Sequence, residues 1–147
     1  RDAGVAVGLG LDGGAGDAPD AFANMRAAVG LQRAVSQDAA AFPRPADALR
    51  MATLGGAEAL GLETQTGSLT PGKRADLIVL NAGWMNFAPR WDWPSQLVFG
   101  GQPRMVRDVL VGGEALKRNG ELVGVDVAQA VADAEEASRA LQERLGR

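Results

Sequence analysis

The stretch VAVGLGLDGG, residues 5–14, limits what this chain can fold into more than any other. Residues 5–10 form a short apolar run with β-branched valines and none of the polar alternation of a half-wet strand. Such a run suits a buried parallel strand covered by helices on both faces. The run therefore predicts an α/β setting. It also raises a chemical question. Gly8, Gly10 and Gly13 spell G-x-G-x-x-G, while the same strand ends in a single carboxylate, Asp12.

A dinucleotide turn needs its helix to begin inside the glycine motif, so that the helix N-terminus faces the pyrophosphate. Here Gly13, Gly14, Gly16 and Pro19 keep the chain irregular until Asp20. Asp12 would also set a negative charge beside the phosphates, and no second βαβ unit follows. The carboxylate reading fits better, because (β/α)8 barrels present reactive groups at the C-terminal ends of their strands. A simpler role for Asp12 stays open beside it: hydrogen bonding to the backbone of the following loop.

Two absences narrow the chemistry. Among 147 residues there is no cysteine and no histidine. Disulfides, thiolate nucleophiles, a Ser–His–Asp triad and a self-contained histidine metal site are all excluded. The net charge of −3 provides no basic field for nucleic acid. No apolar run approaches the roughly 18 residues needed to span a bilayer. The opening at Arg1, without a methionine and almost directly in a strand, predicts a piece cut from a larger domain.

Further along, Asp20 is placed to cap a helix over residues 21–35, with Phe22, Met25, Val29 and Leu31 inward. Pro45 starts a second helix that runs through Leu60 to a left-handed stop at Gly61. Its small residues Ala52, Gly55, Gly56 and Ala57 allow close packing against a neighbour. The character changes near Leu62. Residues 75–80 and 106–111 read as strands, Gly112-Gly113 as a hairpin turn, residues 114–117 as its return and Asn119-Gly120 as another turn. Residues 84–94 are irregular and aromatic. Asp126 with Gln129 resembles a capping box before a closing helix that carries Val127, Val131, Ala134, Leu141 and Leu145 and ends at Gly146.

The segment RDAGVAVGLGLDGGAGDAPDAFANMR resembles the last barrel strand and following loop of the metal-dependent amidohydrolase superfamily. The likeness is to the branch of aminohydrolases and chlorohydrolases acting on purines, cytosine and s-triazines. It continues through ALRMATLGGAEALGL, GSLTPGKRADLIVLN, PSQLVFGG and VRDVLVGGEALKRNGELV, in the family's order. The resemblance implies a barrel holding one divalent ion, zinc or iron, with most ligands from histidines of earlier strands. Asp12 matches the aspartate that completes that site and receives a proton from the attacking water. Leu11 stands where many relatives have threonine or serine, and Gly16-Asp17 where they often carry Ser-Asn, which makes Asp17 a candidate substrate contact. Trp91 stands where histidine is often found, before Asp92, read as structural.

The expectations are then these. Residues 1–62 form the C-terminal end of a (β/α)8 barrel, residues 63–125 strands of a small β-sandwich, and residues 126–147 a terminal helix. The parent protein is a metal-dependent hydrolase of non-peptide carbon–nitrogen bonds, deaminating a purine, pyrimidine or triazine. The alternatives are a dechlorinating s-triazine hydrolase and a non-catalytic assembly module. Alone, the chain is expected to bind no metal and to be inactive, because the barrel half that supplies the histidines is missing from it. A cytoplasmic location and homo-oligomerisation are expected, as is self-association through the apolar flank of residues 5–9. Lys73, Arg74 and Asp76 read as a solvated turn. Trp84, Trp91 and Trp93 read as the cover of a seam, Arg26 and Arg33 as surface groups, and Glu135–Arg139 as a helix pair.

Overall fold

The computed structural model describes residues 4–12 and 18–146. Three helices come first: α1 (Ala21–Ser36), α2 (Pro45–Met51) and α3 (Leu54–Ala59). The strands β1 (Leu77–Leu80), β2 (Val106–Val111), β3 (Glu114–Arg118) and β4 (Glu121–Leu122) follow. Helix α4 (Trp93–Gly100) lies between β1 and β2, and α5 (Val127–Arg144) closes the order. The four strands form one antiparallel sheet in sequence order, with Leu77 opposite Leu110 and Val111 opposite Glu114.

Helix α1 starts where the sequence places it. Asp20 is extended, and its carboxylate accepts from the N–H groups of Phe22 at 2.9 Å and Ala23 at 3.2 Å. These donors have no carbonyl partner inside the helix, which is why a short acceptor at this position stabilises it. Phe22, Met25 and Val29 are buried as expected, whereas Leu31 is 67% exposed and lies on the outer face.

The second predicted helix is broken in two. Thr53 leaves the helical region at φ −127°, ψ −103°, and its hydroxyl donates back to the carbonyl of Leu49 at 2.8 Å. A β-branched residue that bonds its own preceding turn, followed by Gly55 and Gly56, does not hold a continuous helix. The stop at Gly61 is as expected, with φ +69°.

The core joins the helices to the sheet. Phe22, Met25 and Val29 of α1 pack with Ala48 of α2 and Val98 of α4, and Leu9, Leu49, Leu80 and Val106 press against them. Each fully buried side chain of this kind contributes about 1.5–3 kcal/mol. Helix α4 went unforeseen in the sequence. Pro94 lies in its first turn, its own Val98 is wholly buried, and so is Phe87.

Two carboxylates pin the turns of the sheet. Asp76 accepts from the Gly112 N–H at 2.6 Å and from the Thr66 hydroxyl at 2.9 Å. Asp108 accepts from the Asn119 N–H at 2.8 Å and from Arg107 at 2.8 Å. Gly112 and Asn119 both have positive φ, so each carboxylate fixes a turn residue that the strands alone would not hold.

Helix α5 begins at Asp126, which accepts from the Gln129 N–H at 3.0 Å. The reciprocal half of the capping box does not form, because the Gln129 amide donates to Asp133 instead. No residue of α5 is buried. The expected Glu135–Arg139 pair is absent among the described residues.

Candidate functional site

The run at residues 5–10 does not form the predicted buried parallel strand. It carries no strand pairing, and Val5 is 66% and Val7 43% exposed. A parallel strand needs neighbours along its edges. The described residues place none beside it, since every strand belongs to the antiparallel sheet.

What the chain does supply is a seat on one side. A Cβ at Gly8 would stand 2.7 Å from the Gly56 Cα, and one at Gly55 would stand 2.9 Å from the Val7 carbonyl oxygen. Glycine on both surfaces thus lets the segment lie backbone to backbone on α3, the close packing expected of these small residues. The Leu9 N–H donates to the Met51 carbonyl at 3.1 Å, at the end of α2. The Asn24 side-chain amide donates to the Gly10 carbonyl at 2.5 Å. The segment then reaches Asp12, whose φ is +43°. Few non-glycine residues accept that left-handed region, and aspartate is among the most tolerant of it. Asp12 is exposed, and no group among the described residues hydrogen-bonds or pairs with its carboxylate.

The loop beyond is anchored where it rejoins α1. Arg26 reaches across to α4 and donates to the carbonyls of Val98 at 3.3 Å and Gly101 at 2.8 Å, with Asp20 at 3.8 Å. It is thus an internal clamp and not the surface group expected. Asp17, together with Gly13, Gly14 and Gly16, lies outside the described residues. The dinucleotide reading fails on helix placement, because α1 begins at Ala21 and residues 10–12 are not helical.

The donors do not make a metal centre by themselves. No cluster of three or more histidine, cysteine, aspartate or glutamate side chains able to hold an ion occurs among the described residues. The chain as a whole has neither histidine nor cysteine. Asp12 offers one carboxylate, and a site for zinc or iron would draw its remaining donors from elsewhere. An apolar cleft of about 580 Å³ runs between the helices and the sheet, lined by Phe22, Met25, Leu49, Leu80 and Val106 among others. Asp12 does not line it.

The other candidates resolve into structure. Lys73 donates to the carbonyls of Glu63 and Thr66, and Asp76 holds the hairpin turn. Hydrogen bonds from the Gly112 backbone and then from Thr66 hold the Asp76 carboxyl below its ordinary range. The Asn119 backbone and then Arg107 do the same for Asp108. Asp92 occupies the N-cap position of α4 without a side-chain cap bond. Trp93 packs on Phe87 at 5.9 Å, and Arg104 lies 4.9 Å over the Trp84 ring. Trp91 is 87% exposed, so it does not serve as the expected cover among the described residues. Arg33 stands over the Phe99 ring at 5.9 Å. Sequence reading missed Asn24, because a polar residue in the first turns of a helix carries no signal that it will reach another segment's carbonyl.

The family model described as Amidohydrolase family matches residues 1–116. The 5-methylthioadenosine/S-adenosylhomocysteine deaminase of Teredinibacter turnerae is 39% identical over 132 residues, which cover 89% of this chain and 30% of that protein. A crystal structure of an adenosine deaminase from Xanthomonas campestris with bound zinc superposes with a TM-score of 0.89 at 35% identity, covering 97% of this chain and 32% of that one. The zinc complex of atrazine chlorohydrolase from Arthrobacter aurescens gives 0.77 at 28% identity, covering 92% and 30%. The chain thus spans about a third of the length of the proteins it matches. With the family pattern running from its first residue to Leu116, the chain belongs to the amidohydrolase family.

Proposed function

We propose that the protein carrying this chain hydrolyses non-peptide carbon–nitrogen bonds and releases ammonia from a cyclic amidine such as a purine, pyrimidine or triazine. In this reading residues 1–62 complete a (β/α)8 barrel, residues 63–125 belong to the accompanying β-sandwich, and residues 126–147 form the terminal helix. The rest of the barrel supplies the neighbours that residues 5–10 lack. The observation that carries the reading is Asp12. It is an exposed carboxylate with no partner among the described residues, in a left-handed conformation, at the end of a segment seated glycine against glycine on α3. By the resemblance of its segment, it matches the aspartate that the family uses in catalysis. A carboxylate so placed accepts a proton from an attacking water and passes it to the departing nitrogen. Asp17 is the proposed substrate contact from the loop. The divalent ion that the resemblance implies would find one carboxylate here and its other donors outside this chain.

Chloride release is the second reading, favoured by the likeness to the atrazine chlorohydrolase. Ammonia release is preferred because the more similar proteins, at 39% and 35% identity, are named as deaminases. The test is steady-state turnover of the intact protein on adenosine-type nucleosides and on chloro- and amino-triazines, with ammonia and chloride measured separately. Asp12→Asn should lower kcat by about 10²–10⁴-fold, the range for loss of a positioned acid–base group. Undiminished turnover in that variant would refute the role given to Asp12.

A further inference from the structure

Asp12 is reached by a backbone that is held along its length by different means. At Gly8 and Val7 it rests on Gly56 and Gly55. At Leu9 its N–H is bonded to the Met51 carbonyl at 3.1 Å. Beyond Leu9, in the last residues before the carboxylate, the one bond among the described residues is from the Asn24 Nδ2 to the Gly10 carbonyl, at 2.5 Å. Leu11 is 42% exposed and Asp12 is exposed, so packing holds neither tightly.

The donor, in contrast, stands on a helix held by several contacts. Asn24 is the fourth residue of α1. That helix is capped by Asp20, clamped to α4 through Arg26, and pinned in the core by Phe22, Met25 and Val29. The amide therefore transfers the position of the core to the peptide plane joining Gly10 to Leu11, one residue before Asp12. Without it the segment keeps its anchors among the described residues only as far as Leu9, and the left-handed turn at Asp12 loses the nearest of them.

We infer that Asn24 is a positioning residue for the Asp12 carboxylate, acting through its hydrogen bond to the Gly10 carbonyl. This rests on the reading of Asp12 as the group that meets the attacking water. The amide is required as a donor, because a carbonyl oxygen has nothing to give in return. Aspartate at position 24 would keep the size and lose the donor. Its charge, in the first turns of a helix, would if anything stabilise α1. Glutamine would keep the donor.

The experiment measures kcat, KM and Tm for the intact protein and for Asp12→Asn, Asn24→Asp, Asn24→Ala and Asn24→Gln. Loss of the bond should lower kcat about tenfold in Asn24→Asp and Asn24→Ala, with KM within about twofold, in line with loss of one bond that holds reacting geometry. In Asn24→Asp the Tm should hold or rise while kcat falls, and Asn24→Gln should recover most of kcat. A purely structural role would instead move Tm with kcat. Should Asp12→Asn abolish turnover while Asn24→Asp and Asn24→Ala keep full kcat, the inference about Asn24 is overturned and the reading of Asp12 stands. Should Asp12→Asn retain turnover, the functional reading fails and takes this inference with it. A second measurement needs no activity: the NMR order parameter of the Leu11 amide, which shares the tethered peptide plane, should fall in Asn24→Ala. An unchanged order parameter overturns the tether itself.

Discussion

Gly8→Ala is the sharpest test of how the segment bearing Asp12 is seated. The added Cβ would stand 2.7 Å from the Gly56 Cα and 3.4 Å from the Gly56 nitrogen. Both are backbone atoms, so no rotamer change relieves the clash. Ordinary contact begins at 3.4 Å, and reaching it requires the two backbones to part by about 0.7 Å. Overpacking of this kind costs about 1–3 kcal/mol. For a chain of this length that is a fall in Tm of roughly 3–9 °C. The matched control is Gly10→Ala. Gly10 lies in the same segment, a Cβ added there would meet no atom of the described residues within 4 Å, and it does not have positive φ. It should be neutral or gain up to about 1 kcal/mol through the reduced freedom of the unfolded chain. Thermal denaturation followed by circular dichroism separates the two. In the intact protein the same displacement, carried to Asp12, should lower kcat, because a shift near 1 Å in reacting geometry costs about 10²-fold. Equal Tm values for the two variants would refute the glycine-to-glycine seat.

Other expectations follow from single contacts. Asp76 and Asp108 have carboxyls depressed by their hydrogen bonds, so their contribution is fully present above the ordinary carboxylate pKa of about 3.9 and is lost as pH falls through the lower folded values. Urea midpoints measured from pH 5 downward should fall, and the double variant Asp76→Asn, Asp108→Asn should show a shallower fall; an unchanged slope would refute the assignment. Phe87 is wholly buried beside Trp93, so Phe87→Ala should lose about 3–5 kcal/mol in denaturant unfolding. Trp91→Ala, at an exposed position, should stay within about 0.5 kcal/mol in the same assay. Asp20→Ala removes two cap bonds from α1 and should cost about 0.5–2 kcal/mol by the same measurement.

Local chemistry was readable wherever it decided the structure by itself. The Asp20 cap, the start at Pro45, both strands of the main hairpin, the Gly112-Gly113 turn and the Asp126 cap all follow from residues within a turn of one another. What failed depended on distant partners. The run at residues 5–10 has the composition of a buried strand, yet pairing is a property of neighbours, and the described residues place none beside it. Helix α4 was hidden because Trp93, Pro94 and Ser95 open it without helix-forming residues, and its stability comes from burying Val98 against α1 and α2. Arg26 and Leu31 exchanged their expected places for a related reason: periodicity gives a face, while the carbonyls of Val98 and Gly101 decide which long polar chain turns inward.

The candidate site divides along the same line. Asp12 was legible because a carboxylate closing an apolar, glycine-rich run is a local pattern, and family resemblance gave it a role. The groups that determine where that carboxylate stands are not local to it. Gly55 and Gly56 lie more than forty residues downstream, and Asn24 acts from a different element altogether. They work by what they permit or hold: Gly55 leaves room for the Val7 carbonyl, the Gly56 Cα receives Gly8, and the amide fixes the peptide plane joining Gly10 to Leu11. A reactive residue is therefore visible from its own surroundings in sequence, whereas the residues that aim it become visible only when the fold brings them alongside. That is why substitutions at Gly55, where a Cβ would stand 2.9 Å from the Val7 carbonyl oxygen, and at Asn24, neither carrying any chemistry of its own, should alter turnover in the intact protein more than substitutions at charged but structural positions such as Lys73 or Arg74.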